Sequence, residues 1–268
     1  MIPQTAMIDR VRQLCSDDDR VVAALTYGSF ARGEGDAYSD IEFVLFIADD
    51  ALPDFDREAW VRRISPVEVF FPDDFGHFTA IFSNLVRGEI HFDPYSQVAK
   101  VETWRGYAYL PSADRCILKD RDGELARRLS PLATQPPRDD PERVASLEMN
   151  LANAVLFGSS VLDRGEAARA LELLSLVHRY LLWLARRVEG NTDHWPTPSR
   201  MVEKELPPAA YARFGECTAA LDRRSLERAY YASWVWGQEL MAALEPRFGI
   251  AVPASLRTSL AERIRHYA

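Results

Sequence analysis

The sequence predicts an α/β (α+β) N-terminal domain with a mixed sheet, followed by an all-α helical-bundle domain. Before residue 94, short β-branched or alternating apolar runs occur, which are typical of strands. Four prolines lie within residues 130–141, a density that indicates a linker or domain crossing. After them, apolar residues recur every three or four positions, which is the period of a helix. We therefore expect domains at residues 1–130 and 131–268.

The composition is that of an ordinary globular chain, and it argues against several classes of function. Apolar residues make up 47% and charged residues 27%, with a formal net charge of −8. This acidic balance disfavours nucleic acid as a partner, because binding a phosphate backbone needs clustered Lys and Arg. No apolar run approaches the ~20 residues of a membrane span, and we expect neither a membrane partner nor an export signal. The three cysteines are widely spaced, which predicts reduced thiols in a cytoplasmic protein.

Local patterns predict five strands and two helices before the proline-rich segment. Strands are expected at residues 21–27, 41–47, 67–71, 78–82 and 89–93. Helices are expected at residues 3–14, from a weak apolar stripe, and at residues 56–64. Residues 102–129 mix short helical and loop signals and predict no strand. The sheet should therefore be built mainly from the first 93 residues.

The second domain should contain only helices. Asp140 followed by Pro141 predicts a helix start, with an N-cap acid and proline at the first helical position. That helix should end near Gly165. Further helices are expected at residues 166–189, 199–206, 208–221 and 224–245, with a last one after Pro253. The helix at 166–189 is apolar nearly all round, which predicts a central place in the bundle.

Two acidic residues lie at the start of the second predicted strand. Asp40 and Glu42 are two positions apart, so on a strand they project from the same face, about 6–7 Å apart. Burying unpaired carboxylates is unfavourable, and Mg²⁺ is a natural partner because it takes carboxylate and phosphate oxygens. Upstream, Gly28 and Ser29 offer backbone N–H groups and a hydroxyl to a phosphate. The alternative is a pair of exposed strand-edge acids, which the buried character of residues 43–47 disfavours.

The order of apolar strand, Gly-Ser, loop and acidic strand resembles the signature of the nucleotidyltransferase superfamily. Residues 27–43, 84–92 and 164–175 resemble more closely the two-domain lincosamide nucleotidyltransferases, an antibiotic-resistance family. The resemblance implies transfer of a nucleoside monophosphate, usually AMP from MgATP, to a hydroxyl of lincomycin or clindamycin, with release of pyrophosphate. It also implies two Mg²⁺ ions, a nucleoside triphosphate and a small-molecule antibiotic as the ligands. A homodimer is common among related enzymes, although the sequence does not reveal the oligomeric state.

The resemblance assigns roles to the motif residues. Asp40 and Glu42 would be catalytic metal ligands, although many superfamily members have Asp where this chain has Glu42. Gly28 and Ser29 would contact the triphosphate. Arg32, in the same loop, is either a counter-charge for the triphosphate or a solvated loop arginine, and both interpretations stay open.

The superfamily also places a third carboxylate on a strand next to the acidic strand. Glu89 is the best candidate, as general base or as a further metal ligand. Asp93 is its rival because it shares a face of the strand with Glu89. His91 lies on that face too and is expected to be a packed histidine bonded to backbone or to a carboxylate.

Other functions remain open at this point. The acceptor could be an aminoglycoside, or the chain could be a non-catalytic nucleotidyltransferase-fold module such as an antitoxin. The complete set of motif residues argues against the second alternative. Side chains of the helical domain that could line an acceptor site are Glu148, Asn150, His178, Tyr180, Trp234 and Trp236. Trp and Tyr at helical spacing are more often part of a packed core than of a ligand site.

Overall fold

The computed structural model describes residues 2–106 and 108–268 of the chain. These residues form two compact units, Met1–Pro136 and Pro137–Ala268. The division between the units falls within the proline-rich segment of residues 130–141.

The described residues of the first unit contain a mixed sheet of six strands. The strands are β1 (Val21–Thr26), β2 (Ile41–Ile47), β3 (Val67–Pro72), β4 (Phe78–Phe82), β5 (Arg87–Pro94) and β6 (Ile117–Asp120). Their order is β3-β4-β5-β2-β1-β6, with β2 and β5 parallel and the other neighbours antiparallel. The predicted fold class is confirmed. Strand β6 was not predicted, because it is short and is defined by its pairing with β1 rather than by an apolar alternation.

The helices of the first unit are short except for the first. They are α1 (Pro3–Asp17), α2 (Gly28–Ala31), α3 (Arg57–Arg62), α4 (Ala113–Cys116) and α5 (Glu124–Leu129). Helix α2 begins two residues after β1 ends, where the sequence predicted only a loop. Asp56 caps α3 by accepting a hydrogen bond from the backbone N–H of Ala59.

The central strand β2 separates two apolar cores. Ile41, Phe43, Leu45 and Ile47 are fully buried on one face of the sheet, in the core that includes α1 and α3. Val44 and Phe46 are fully buried on the other face, against residues of α5 and of the segment after β5. A strand covered on both faces reads as an unbroken apolar run, as predicted. The alternation places Glu42 on the same face as Val44 and Phe46.

The second unit is helical over its described residues. Its helices are α6 (Pro141–Asp163), α7 (Ala167–Val188), α8 (Val202–Glu205), α9 (Pro208–Glu216), α10 (Arg223–Phe248) and α11 (Ala254–Arg263). Helices α6, α7 and α10 pack pairwise around the main core. The prediction that α7 is buried nearly all round is correct only for its C-terminal half. Its first half is exposed along one side, where Leu176 is 39% exposed.

Two further properties of the described residues bear on the sequence predictions. None of their helices is long and apolar enough to span a membrane. Cys15, Cys116 and Cys217 are unpaired and buried. Burial raises the pKa of the Cys116 and Cys217 thiols to about 11, so these side chains stay protonated and pack as small apolar groups.

Candidate active site

The parallel pairing of β2 and β5 brings two predicted site carboxylates together. Glu42 and Glu89 are register partners, followed on the same face by the pair Val44 and His91. Parallel strands that pair in register present such residues side by side. Residues 42 and 89 are far apart in sequence, so only the order of strands in the sheet makes them neighbours.

Gly28 is held directly against the Glu42 carboxylate. Its φ of +70° lies in the left-handed region that favours glycine. A Cβ atom added there would lie 1.5 Å from Glu42 Oε2, closer than any non-bonded contact. The Thr26 hydroxyl donates a hydrogen bond of 3.0 Å to the Glu42 carbonyl and fixes the end of β1 on β2. Because Gly28 has no side chain, the Glu42 carboxylate can occupy the space beside it.

Ser29 is buried, with 5% of its surface exposed. Its Oγ finds no hydrogen-bond partner among the described residues. The Ser29 carbonyl, in contrast, accepts hydrogen bonds from the backbone N–H groups of Arg32 and Glu34. A buried hydroxyl without a partner is costly, and a bound polar ligand is one way in which such a group becomes satisfied.

Arg87 joins the other two carboxylates. Its guanidinium donates hydrogen bonds of 2.8 Å to Asp40 Oδ2 and of 2.8 Å to Glu89 Oε2. The hydrogen bond to Glu89, followed by that to Asp40, raises the pKa of the arginine, which is therefore always charged. Asp40 precedes β2 by one residue and is partly exposed. The Arg87 guanidinium therefore lies between the carboxylates of Asp40 and Glu89, where a metal cation could also be bound.

Glu89 is held by two further side chains. The Tyr27 hydroxyl donates to Glu89 Oε1 over 2.8 Å, and the same Tyr27 oxygen lies 2.8 Å from His91 Nε2. The interactions with His91, Arg87 and Tyr27 keep the pKa of Glu89 well below its usual range, although partial burial opposes the shift. Burial and the nearby Glu89 raise the pKa of Tyr27, so its hydroxyl keeps its proton. Glu89 is therefore an ionised carboxylate of fixed orientation.

These residues fit a hard divalent cation. Asp40, Glu42 and Glu89 offer only carboxylate oxygens, the donor type that Mg²⁺ prefers. The buried, unpartnered Ser29 Oγ and the glycine at position 28 add a polar surface that a phosphate could approach. Carboxylate oxygens are the donor type that a magnesium site needs, and both the magnesium ion and the individual roles remain predictions.

Two other sequence candidates have partners in the structure. Arg32 makes an ion pair of 2.9 Å with Glu34, and both interpretations of this arginine stay open. Asp93, the rival of Glu89, accepts a hydrogen bond from Lys100 Nζ. Its register partner is Phe46, deeper along β2, so Asp93 lies farther than Glu89 from the end of the strand that carries Glu42.

Sequence reasoning gave no site role to Tyr27 or Arg87, and it expected His91 to be packed and bonded to backbone or to a carboxylate. In the structure His91 Nε2 lies 2.8 Å from the Tyr27 hydroxyl oxygen and 3.6 Å from Glu89 Oε1, so its nearest polar partner is the tyrosine. Tyr27 directly precedes Gly28, and Arg87 lies two residues before Glu89 on the same strand. Their closeness in sequence to Gly28 and Glu89 was the only hint of a site role. The role becomes evident only when the structure shows β1, β2 and β5 as neighbouring strands.

Several acceptor-site candidates of the helical unit are core residues. Glu148 is fully buried, and Trp234 and Trp236 are almost so. A ring nitrogen of His178 lies 2.8 Å from the Cys217 carbonyl, and burial lowers the pKa of this histidine, which favours the neutral ring. For Glu148, Trp234 and Trp236 the alternative of a packed core is therefore the correct one, whereas His178 is half-buried.

Comparison with known proteins connects the second unit to a family. A family model described as "Lincosamide nucleotidyltransferase-like, C-terminal domain" matches residues 140–263, from the N-cap of α6 to the end of α11. No curated protein matches the chain.

Two solved structures are similar at low identity. The crystal structure of an aminoglycoside 6-adenyltransferase from Bacillus subtilis has a TM-score of 0.45 and 10% identity, and the similarity covers 100% of this chain and 98% of that one. A nucleotidyltransferase-like protein from Exiguobacterium sibiricum 255-15 has a TM-score of 0.38 and 11% identity, over 97% and 89% of the two chains. Likeness at these TM-scores carries no argument about activity. The match supports the resemblance drawn from the sequence over the helical half of the chain, where residues 140–263 are similar to the C-terminal domain of lincosamide nucleotidyltransferase-like proteins.

Proposed function

We propose that the chain is an antibiotic-type nucleotidyltransferase that transfers AMP from MgATP to a hydroxyl of a lincosamide and releases pyrophosphate. One observation carries the chemistry: Glu42 and Glu89 are register partners on parallel strands, with Asp40 joined to Glu89 through Arg87. Three carboxylates at one sheet end, beside a glycine-serine turn, suit a nucleotide bound through Mg²⁺.

Each residue has a distinct part in the proposed reaction. Asp40 and Glu42 would hold Mg²⁺, and Gly28 and Ser29 would contact the triphosphate. When bound, Mg²⁺ neutralises phosphate charge and lowers the barrier to displacement at the α-phosphorus. Glu89 would either accept the proton of the attacking hydroxyl or complete the oxygen shell of the metal.

Arg87 would contribute positive charge for binding the phosphate groups of the nucleotide. In the structure its guanidinium is hydrogen-bonded to Asp40 and to Glu89, and its single positive charge offsets part of their combined negative charge. The same guanidinium would be able to pair with phosphate oxygens of a bound nucleotide through two parallel N–H groups. Tyr27 keeps Glu89 oriented by donating a hydrogen bond from its hydroxyl group to Oε1.

The lincosamide as acceptor is supported by the helical unit. Its match is to a lincosamide nucleotidyltransferase-like C-terminal domain, and the match spans nearly the whole of that unit. An aminoglycoside is the main alternative acceptor, and a non-catalytic binding module is the alternative of another class. The presence of all three carboxylates, Asp40, Glu42 and Glu89, supports turnover over simple binding.

The decisive experiment is an acceptor assay with the purified full chain. Pyrophosphate release is measured with MgATP and clindamycin, with kanamycin as the parallel acceptor and EDTA as the metal control. We expect EDTA-sensitive release with clindamycin alone, and a clindamycin product heavier by one AMP. Release with kanamycin alone would keep the chemistry and overturn the lincosamide assignment. No release with either acceptor would overturn the proposed reaction in favour of another acceptor or a binding role.

A further inference from the structure

A pair of histidines faces the carboxylates across two neighbouring strands. Strands β4 and β5 are antiparallel, with Thr79 opposite Glu89 and Phe78 opposite Ile90. Extending this register by one residue puts His77 opposite His91. The two imidazole rings stack with centroids 3.7 Å apart and an interplanar angle of 28°. His77, His91 and Glu89 therefore lie on one face of the sheet, beside the proposed catalytic carboxylates.

These three side chains offer a compact set of ligand atoms. One nitrogen from each histidine and one Glu89 carboxylate oxygen all lie within 4.8 Å of one another. His91 Nε2 is 3.6 Å from Glu89 Oε1. All three side chains are partly exposed, at 37% for His77, 24% for Glu89 and 12% for His91, so a solvated ion can reach them.

We propose that His77, Glu89 and His91 form an inhibitory site for a transition-metal ion of the Zn²⁺ type. Two imidazole nitrogens and one carboxylate oxygen are a donor set that suits Zn²⁺, Co²⁺ or Ni²⁺, whereas Mg²⁺ prefers oxygen donors alone. Three protein ligands leave a fourth position to water, as in open zinc sites. The site thus differs in chemistry from the oxygen site of Asp40 and Glu42, although the two share Glu89.

The surroundings of the histidines contain the outer partners that such ligands need. His77 Nδ1 lies 3.9 Å from Asp73 Oδ2, and Asp73 is itself fixed by the backbone N–H groups of Phe75 and His77. The Tyr27 hydroxyl contacts both His91 and Glu89. A carboxylate near the second ring nitrogen of a metal-bound histidine helps to orient the ring, and Asp73 is in a position to do so for His77.

The inhibitory effect, unlike the binding itself, rests on the proposed function. Glu89 is the carboxylate that would take the proton from the hydroxyl group of the antibiotic or complete the oxygen shell of Mg²⁺. An ion that takes Glu89 as a ligand removes it from both tasks without touching Asp40 or Glu42. Transfer should therefore fall when Zn²⁺ is added in the presence of excess Mg²⁺.

Binding is tested first, with the full chain and no nucleotide. Co²⁺ is the probe, because its visible absorption reports coordination by nitrogen, and Zn²⁺ is then titrated as the competitor. His77→Phe removes one ligand and keeps an aromatic ring against His91. His266→Phe is the matched control, since His266 is exposed and also contacts a neighbouring ring, that of Tyr267.

We expect one Co²⁺ per chain in the wild type and in His266→Phe, and an affinity at least about tenfold weaker in His77→Phe. His91→Asn should weaken binding in the same way, which covers the case of a poorly folded first variant. Equal Co²⁺ affinity in His77→Phe and the wild type would overturn the site.

Inhibition is tested in the pyrophosphate assay at a fixed excess of Mg²⁺. His77→Phe should turn over normally without Zn²⁺ and should need at least about ten times more Zn²⁺ for half-inhibition than the wild type and His266→Phe. Equal inhibition of all three proteins would overturn the regulatory part of the proposal. If the wild type transfers no AMP at all, the proposed function has failed, and the Co²⁺ titration still decides whether the metal site exists.

Discussion

Polar groups are used in opposite ways by the sheet end of the first unit and by the helical core of the second. At the sheet end, Asp40 and Glu89 are partly exposed and share one charged partner, Arg87. In the helical core, Tyr230 is fully buried, and its hydroxyl is bonded to the Ala170 carbonyl. A charged group that is exposed to solvent can exchange its protein partner for a ligand. A buried group that is hydrogen-bonded to the backbone keeps its partner as long as the protein is folded.

Two glycines show the same difference between the exposed sheet end and the buried helical core. Gly28 leaves room for the Glu42 carboxylate, the far end of a flexible side chain. Gly158 on α6 leaves room for the Tyr230 ring, which is enclosed on all sides. Adding a methyl group should therefore damage chemistry at position 28 and stability at position 158. The predictions below test this division, beginning with the largest expected effect.

Asp40→Asn should nearly abolish AMP transfer while the fold persists. Loss of an outer partner of a metal site costs about 10–100-fold, so loss of a direct ligand should cost at least about 100-fold. The exposed ion pair with Arg87 contributes less than about 1 kcal/mol, so the free energy of unfolding should barely change. Pyrophosphate release and urea unfolding measure the two effects. Asp50→Asn, an exposed acid in the turn after β2, is the control, and near-normal turnover of Asp40→Asn would refute the metal assignment.

Gly28→Ala should reduce transfer by about 10–100-fold, since a displacement of about 1 Å in a catalytic group has an effect of that size. The new Cβ would push the Glu42 carboxylate out of place. The matched control is Gly33→Ala, because Gly33 also has a positive φ, of +77°, but a Cβ there meets nothing within 4 Å.

Both variants carry the same backbone strain, which should cost each about 1 kcal/mol of stability. Only Gly28→Ala should lose activity beyond that. If both variants transferred AMP equally well, the contact between Gly28 and Glu42 would have no catalytic meaning.

Gly158→Ala should destabilise the protein by about 1–3 kcal/mol, the usual cost of overpacking a core. The added Cβ would lie 2.0 Å from the Tyr230 hydroxyl oxygen, and the buried ring has no free space to enter. Gly215→Ala on α9 meets nothing within 4 Å and should instead stabilise by less than about 1 kcal/mol. Urea unfolding of the two full-length variants gives the comparison. A neutral Gly158→Ala would show that the contact between α6 and α10 relaxes easily.

Glu148→Gln should have the smallest effect, and the effect should depend on pH. Glu148 is fully buried, and burial raises its pKa, while its Oε2 accepts a hydrogen bond from the Ala251 N–H. A carboxyl group with a raised folded-state pKa binds a proton more tightly when folded. Stability is therefore full below the unfolded pKa and falls as the pH rises through the folded pKa.

The neutral glutamine removes this loss. We expect Glu148→Gln to exceed the wild type in unfolding free energy by about 1 kcal/mol at neutral pH, and to match it near the lower end of the acid range. Thermal unfolding over a pH series measures the difference, with Glu172→Gln on the exposed side of α7 as the control. A difference that does not vary with pH would contradict the assignment of the effect to the charge on Glu148.

Much of the fold was predictable because its signals are local. The apolar run at residues 41–47 coincides with β2, and Asp140 with Pro141 marks the start of α6. Strand β6 was missed because a four-residue strand with half its residues charged has no pattern of its own. Helix α9 ends at Glu216, earlier than predicted. The next helix begins after Asp222, which accepts a hydrogen bond from the Ser225 N–H as its N-cap.

The sequence by itself determined most of the strands and helices, the candidate carboxylates Asp40, Glu42 and Glu89, and the family resemblance of the helical half, because these depend on residue types at short spacings. Only the tertiary structure decided which side chains are neighbours. It paired Glu42 with Glu89, joined Asp40 to Glu89 through Arg87, and stacked His77 on His91. Strand order and register bring distant residues together, and they depend on how the whole sheet buries its two faces, which no short stretch of sequence encodes.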